Sequence, residues 1–172
     1  MISYDRSFSD RASGGVMFAK ASPRITQNNG DRAEADDWQI GLYGTLAFKN
    51  SYSLKAWLGY GWQSYDLFRH PLGAALSGSF KGSSTTAALE FAREIPTRGG
   101  LTIAPALGLE HRRVRQDSFS ERGDDVLSLH FDSSGYDETK LYAGAYLRQI
   151  LKKSSLYASA FYKRRLGGRG LT

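Results

Sequence analysis

The chain holds few side chains that could make or break a covalent bond. Its three histidines, His70, His111 and His130, stand far apart in stretches that read as loops or strand ends. A zinc site draws its ligands from short, fixed spacings, and none occurs, so we read all three as solvated and expect no metal and no cofactor. With no cysteine in 172 residues, thiolate ligation, disulfides and thiol redox chemistry are excluded. No nucleophile elbow, phosphate loop or paired-carboxylate motif is present. We therefore assign no catalytic residue and do not read the chain as an enzyme.

The remaining chemistry is charge recognition. Glu90 and Glu110 fall mid-segment, as do Lys55 and Arg148, and two basic clusters follow, Arg112, Arg113 and Arg115, then Lys163, Arg164 and Arg165. The mid-segment charges could contact something passing over them or satisfy one another's partly buried charge, and we favour the second. Arginine forks suit phosphate. The formal net charge of +6 and pI near 9.6 fit a partner that is either nucleic acid or anionic lipid. Single-stranded nucleic acid requires aromatic rings on the same exposed surface as the basic groups. Here the aromatics share the apolar face instead, so we expect no nucleic-acid partner.

These groups are positioned by strands. From Asp37 to Leu67 apolar side chains recur at every second position: Trp38, Ile40, Leu42, Leu46 and Phe48, then after Lys49-Asn50-Ser51 Tyr52, Leu54, Ala56, Leu58, Tyr60 and Trp62. Period two is the strand signature, because successive Cβ atoms point to opposite faces. The first run is about 11 residues long, enough for a tilted strand to cross a bilayer. The same alternation marks Phe80–Ile95, with Leu89 and Phe91 on one face and Glu90 on the other, and Leu101–Leu109, with Leu107 opposed to Gly108 and Glu110. Lys140–Ile150 and Leu156–Arg165 complete the set. Ser13–Ile25 contains a strand of ambiguous facing, and residues 1–11 read as polar and turn-like. Pro105 argues against a central strand.

Turns near Lys49–Ser51, Pro96–Gly100 and 152–155 are short, whereas the connections at 26–36, 68–78 and 112–139 are long. Short turns at one end and long loops at the other are the habit of outer-membrane barrels. For the ends to alternate, Val126–Phe131 must not span, which leaves about seven spanning strands. Mean hydropathy is −0.43, so a dry helical membrane protein is excluded, and no apolar run approaches the roughly 18 residues of a membrane helix. A barrel survives this average because half of each strand faces a polar lumen. Met1 is followed by Tyr4, Asp5 and Arg6 rather than by a signal peptide, so the chain is either cytoplasmic or a piece of a longer one, and composition favours the second. A soluble antiparallel sandwich also alternates, but it does not alternate its loop lengths.

Several stretches resemble the translocator β-domain of autotransporters, the type V secretion proteins: IGLYGTLAF, LKAWLGYGWQSYDLFR, TTAALEFAREI, LTIAPALGLEHRRV with its mid-strand proline, DSFSERGDD, KLYAGAYLRQI and LYASAFYKRRL. Their order and spacing carry the resemblance. It implies an all-β, antiparallel up-and-down transmembrane β-barrel, here about seven spanning strands of twelve. Residues 1–172 would be a partial domain lacking the N-terminal strands, linker helix, passenger and C-terminal strands, since Gly170-Leu171-Thr172 is not the family's terminal aromatic strand. The implied function is an outer-membrane anchor and polar conduit for export and display of a passenger. The implied partners are outer-membrane lipid and lipopolysaccharide, the chain's own passenger segment and the barrel assembly machinery of a Gram-negative bacterium. A porin- or adhesin-like barrel without a passenger is the alternative, and a soluble polyanion-binding β protein is a weaker one.

The facing follows. Trp38, Ile40, Leu42, Leu58, Trp62, Leu89, Phe91 and Leu107 are expected to meet lipid. Tyr43, Lys55, Glu90, Glu110 and Arg148 are expected to line the lumen as candidate contacts for the passenger or helix. Arg112, Arg113, Arg115, Lys163, Arg164 and Arg165 are expected level with lipopolysaccharide phosphates. Arg122-Gly123-Asp124 spells an integrin-type tripeptide, a match common by chance.

Overall fold

The computed structural model describes residues 1–124, 126–152 and 154–168; Asp125, Lys153 and 169–172, which include Gly170-Leu171-Thr172, lie outside the described residues. The strands are β1 (Ile2–Ser9), β2 (Ala12–Ala21), β3 (Arg24–Thr26), β4 (Arg32–Ala47), β5 (Tyr52–Arg69), β6 (Leu76–Arg93), β7 (Ile95–Pro96), β8 (Leu101–Gln116), β9 (Phe119–Ser120), β10 (His130–Phe131), β11 (Ser134–Ile150) and β12 (Ser155–Gly167). One antiparallel sheet follows the path β1-β2-β4-β5-β6-β8-β11-β12, with β3 added to β4 and β7 to β8. Strands β9 and β10 form a separate two-stranded ribbon.

Register is set by like facing like. Across β4 and β5, Trp38 lies opposite Trp62, Ile40 opposite Tyr60, Leu42 opposite Leu58 and Leu46 opposite Leu54. A one-residue slip would set Ile40 against Gly59, Leu42 against Trp57 and Leu46 against Ser53 and turn a whole strand over. The short connections after β1, β4, β7 and β11 gather at one end. Asn50 at φ 63° and Gly99 and Gly100 at φ 74° and 80° supply the left-handed backbone that two of them need. The longer connections 22–31, 70–75 and 117–133 gather at the other end.

The sheet carries its apolar side chains outward. Leu42, Leu58 and Leu107 are 56, 53 and 53% exposed, and among the described residues no second layer covers them. The buried residues instead include Glu90 and two neighbours on the opposite face, Ala92 and Ala106. A sandwich would show the reverse, with leucines between layers and charges outermost. A continuous exposed apolar face of this extent is the sign of a lipid-facing surface. The apolar band also runs obliquely. On β5 it reaches Trp62, whose rung passes through Ser83 to Arg115 on β8. The last outward leucine of β8 is Leu109, six positions earlier. Strands tilted within a barrel wall produce this stagger.

The structure corrects three expectations and resolves a fourth point. Residues 2–9 form a strand rather than a turn-like segment, so eight long strands follow one another instead of seven. Ile2, Tyr4 and Phe8 continue the outward row, and polar Ser3, Asp5 and Ser7 take the other face. The strands also outrun their apolar segments. Backbone pairing continues to Arg32 and Arg69, and from Gln116 to Ser134, because main-chain hydrogen bonds do not require apolar side chains. Hence the expected loops at 26–36, 68–78 and 112–139 shrink. On β2, Val16 and Phe18 lie outward opposite Leu42 and Ile40, which resolves the ambiguous facing. Val126–Phe131 does not span, as the loop alternation requires.

Candidate functional site

The inward face is built from rungs that cross several strands. One rung runs Lys55, Glu90, Gly108, Tyr142, Lys163 over β5, β6, β8, β11 and β12. Lys55 Nζ lies 3.0 Å from Glu90 Oε1. Tyr146 and Tyr142 donate their hydroxyls to Glu90 Oε2 at 2.7 and 3.4 Å. Both tyrosines come from β11 and must reach over β8, which they do because β8 presents Ala104, Ala106 and Gly108 beneath them. A Cβ on Gly108 would sit 2.2 Å from the Tyr142 ring, so only glycine leaves the passage open. Phe161 packs edge-on against both rings at 5.7 and 4.9 Å. Lys55 Nζ also lies 4.8 Å from the centroid of the Tyr146 ring. Glu90, 7% exposed, is thus a buried carboxylate with one cationic and two neutral donors.

A neighbouring rung passes from Asp5 through Gly15, Tyr43, Trp57 and Ala88 to Glu110, Lys140 and Arg165. Tyr43 lies across Gly15 and donates to Asp5. Trp57 lies flat against Gly41 and Gly59. Glu110 pairs with Lys163 at 3.6 Å, and Glu138 with Lys140 at 2.5 Å and Arg165 at 3.8 Å. Arg148 meets neither Glu90 nor Glu110; its partner is Glu94 at 3.5 Å. A cleft of about 380 Å³ near the short-turn end is lined by Lys55, Glu94, Thr102, Tyr146, Arg148 and Tyr157.

The expected lumen residues Tyr43, Lys55, Glu90, Glu110 and Arg148 therefore share one face. Trp38, Ile40, Leu42, Leu58, Trp62, Leu89, Phe91 and Leu107 share the other. The aromatics do not all join them: Tyr43, Trp57, Tyr142 and Tyr146 stand inward on the face of Lys55 and Lys163, which corrects the expectation that the rings keep to the apolar face. The basic clusters do not stay together, which corrects their grouping. Arg113, Arg115 and Arg164 point outward with Thr85, Ser83 and Leu141. Arg112, Lys163 and Arg165 lie opposite Thr86, Tyr142 and Lys140 and point inward. Consecutive residues of a strand cannot share a face, so three of the six expected phosphate contacts are turned away from lipid.

A second buried carboxylate was not anticipated from sequence. Glu121, 5% exposed, accepts from Arg69 Nε at 2.6 Å and Nη2 at 2.5 Å, and from the Leu129 backbone N–H at 3.1 Å. The Arg69 guanidinium, helped by that N–H, holds the Glu121 carboxyl below the usual carboxylate range against the opposing effect of burial. Beside it Tyr65, Phe80, Phe119 and Phe131 stack in a ladder with 4.6 Å between successive rings. The 117–133 segment thereby folds onto the loop ends of β5 and β6. The one sequence signal was the Phe-x-Glu-x-Gly spacing inside DSFSERGDD. In the Arg122-Gly123-Asp124 tripeptide, Asp124 Oδ1 accepts from the backbone N–H groups of Val126 and Leu127 at 2.9 and 3.0 Å, so this carboxylate is engaged within its own turn.

The histidines lie apart. The His70 backbone N–H donates to Asp31, the His111 ring meets Thr139 and the His130 ring meets Ser120. Among the described residues no group of His, Asp and Glu is arranged to hold a metal ion.

The autotransporter β-domain family model matches residues 1–172. Among solved structures, the translocator domain of autotransporter NalP from Neisseria meningitidis is similar with a TM-score of 0.82 and 20% identity, over 99% of this chain and 60% of that one. The β-domain of the Bordetella autotransporter BrkA gives 0.52 and 13%, over 90 and 74%. The ferric preacinetobactin receptor BauA from Acinetobacter baumannii gives 0.60 and 9%, over 92 and 35%. At these identities the likenesses speak for the fold. The chain spans about three-fifths of the NalP domain. No curated protein matches it.

Proposed function

This chain belongs to the autotransporter β-domain family, whose members are outer-membrane β-barrels of Gram-negative bacteria, and from that premise we propose that it anchors in the outer membrane and forms part of a polar conduit for export and display of a passenger. The observation that carries the proposal is the inverted facing of the sheet. Leucines stand exposed on the outward face, and the Lys55–Glu90–Tyr142–Tyr146 network fills the inward one. Within the lumen Tyr43, Lys55, Glu90, Glu110 and Arg148 line the path and act by contact.

Two finer points belong to the same proposal. Strands β1 and β12 are the two ends of the sheet path. Open edges are not tolerated in hydrocarbon, so further strands complete the wall, and residues 1–172 alone do not insert stably. Heat-modifiable migration of a barrel made from these residues alone would refute this. Lipopolysaccharide contact falls to the outward Arg113, Arg115 and Arg164, and membrane entry goes through the barrel assembly machinery.

The test is surface display by the full-length protein. An epitope placed N-terminal to this chain should become accessible to protease added to intact cells. A heat-modifiable barrel in the outer membrane whose epitope stays periplasmic would instead favour a barrel without a passenger.

A further inference from the structure

Charge on the inward face is sorted by side. Among the described residues, strands β1–β6 and Glu94, just past the end of β6, place four carboxylates inward, those of Asp5, Asp37, Glu90 and Glu94, against the single inward cation Lys55 in the membrane-crossing part. Among the same residues, strands β8–β12 place five cations inward, Arg112, Lys140, Arg148, Lys163 and Arg165, against Glu110 and Glu138. We propose that this sorted face recognises a polypeptide segment whose acidic side chains lie along β8–β12 and whose basic side chains lie along β1–β6. The proposal rests on the translocator reading and gives the chemistry of that conduit's occupant.

Internal pairing does not cancel the difference. Asp5 is hydrogen-bonded by Tyr43, and Asp37 by the Gln39 and Gln63 amides at 2.8 and 3.0 Å. Neutral donors satisfy these carboxylates and leave their charge uncompensated. On the other side Arg112, Lys140, Lys163 and Arg165 surround the two acids Glu110 and Glu138, so a positive surplus remains after every pair there is made. Lys55 and Glu90 neutralise each other, and Arg148 with Glu94 ties the two sides together. The result is a field directed across the conduit rather than along it. In a confined, partly desolvated space such fields are screened less than on an open surface. A passing cation or anion of either sign finds one favourable wall, so the field orients an occupant instead of excluding it.

These 172 residues hold no cysteine, so any thiol elsewhere in the full-length protein is first replaced by serine. In the full-length protein, a passenger-side segment stalled in the barrel would carry one cysteine flanked by three Glu or three Lys. The barrel would carry either Ser159→Cys on the β12 side or Thr45→Cys on the β4 side. The Glu-flanked cysteine should form disulfides several-fold more readily with position 159 than with position 45. The Lys-flanked one should show the reverse preference, and both preferences should shrink in high salt. Equal crosslinking to both walls, or a preference unmoved by salt, overturns the sorted-face proposal alone. No crosslink to either wall in a folded, membrane-inserted barrel overturns the conduit reading, and this inference with it.

Discussion

The wall of strands and the folded segment at its long-loop end each bury one glutamate, and they do so by different means. In the wall, Glu90 is held by Lys55 and two tyrosines that reach over Ala106 and Gly108, so its burial depends on small residues placed at regular strand spacing. In the loop-end cap, Glu121 is held by a two-point contact from Arg69 and by a backbone N–H, beside a four-ring stack. The wall's contacts are spread over five strands and share their load. The cap hangs on one ion pair and one aromatic ladder. The wall should therefore lose function gradually under substitution, and the cap should release in a single step.

The sharpest way to break this comparison is Arg69→Ala. It strands a carboxylate whose side chain is 1% exposed, and losing one partner of a buried pair costs about 3–5 kcal/mol. Hydrogen exchange should show the 117–133 amides losing protection while β4–β8 amides keep theirs. Next comes Leu42→Arg, which puts a charge on the outward face near mid-membrane at a cost of about 2–4 kcal/mol, with Thr45→Arg on the inward face milder. Equal losses of heat-modifiable barrel in the two variants would contradict the facing. Tyr146→Phe removes one donor to the Glu90 carboxylate and should cost about 1.5–3 kcal/mol, with no change in cap protection. Acidification should do least. The Glu121 carboxyl titrates below its ordinary range, so its stabilisation is present above that range and is lost only as pH falls through the lowered value. Protease resistance of 117–133 should be the same at pH 7 and pH 5.5, and should fail below the ordinary carboxylate value of about 4.3.

The wall was legible in the sequence and the cap was not, for a physical reason. Leu58 and Gly59, or Leu89 and Glu90, declare their faces because the strand period is two and neighbours along the chain decide it. The first strand is faint in the sequence because only Ile2, Tyr4 and Phe8 carry its apolar row among Ser, Asp and Arg. Loop lengths were overstated at Arg32 and Gln116 because backbone pairing outlasts the apolar segment. Arg112 and Arg113 stand together in the sequence, yet the same period-two rule separates them onto opposite faces. Glu121 finds Arg69 across 52 positions, and Phe119 stacks on Phe80. No local pattern encodes such a meeting.

The central claim is that successive side chains of these strands meet lipid and water in turn. Ala87 and Ala88 on β6 test it with little disturbance, since residues 1–172 hold no thiol and any cysteine outside them can be replaced by serine. Spin labels attached to Ala87→Cys and Ala88→Cys in the full-length, membrane-inserted protein should report opposite surroundings. Position 87 should be relaxed chiefly by dissolved oxygen, which concentrates in hydrocarbon, and position 88 chiefly by a water-soluble nickel chelate. The reverse assignment, or the same environment at both positions, would contradict the account.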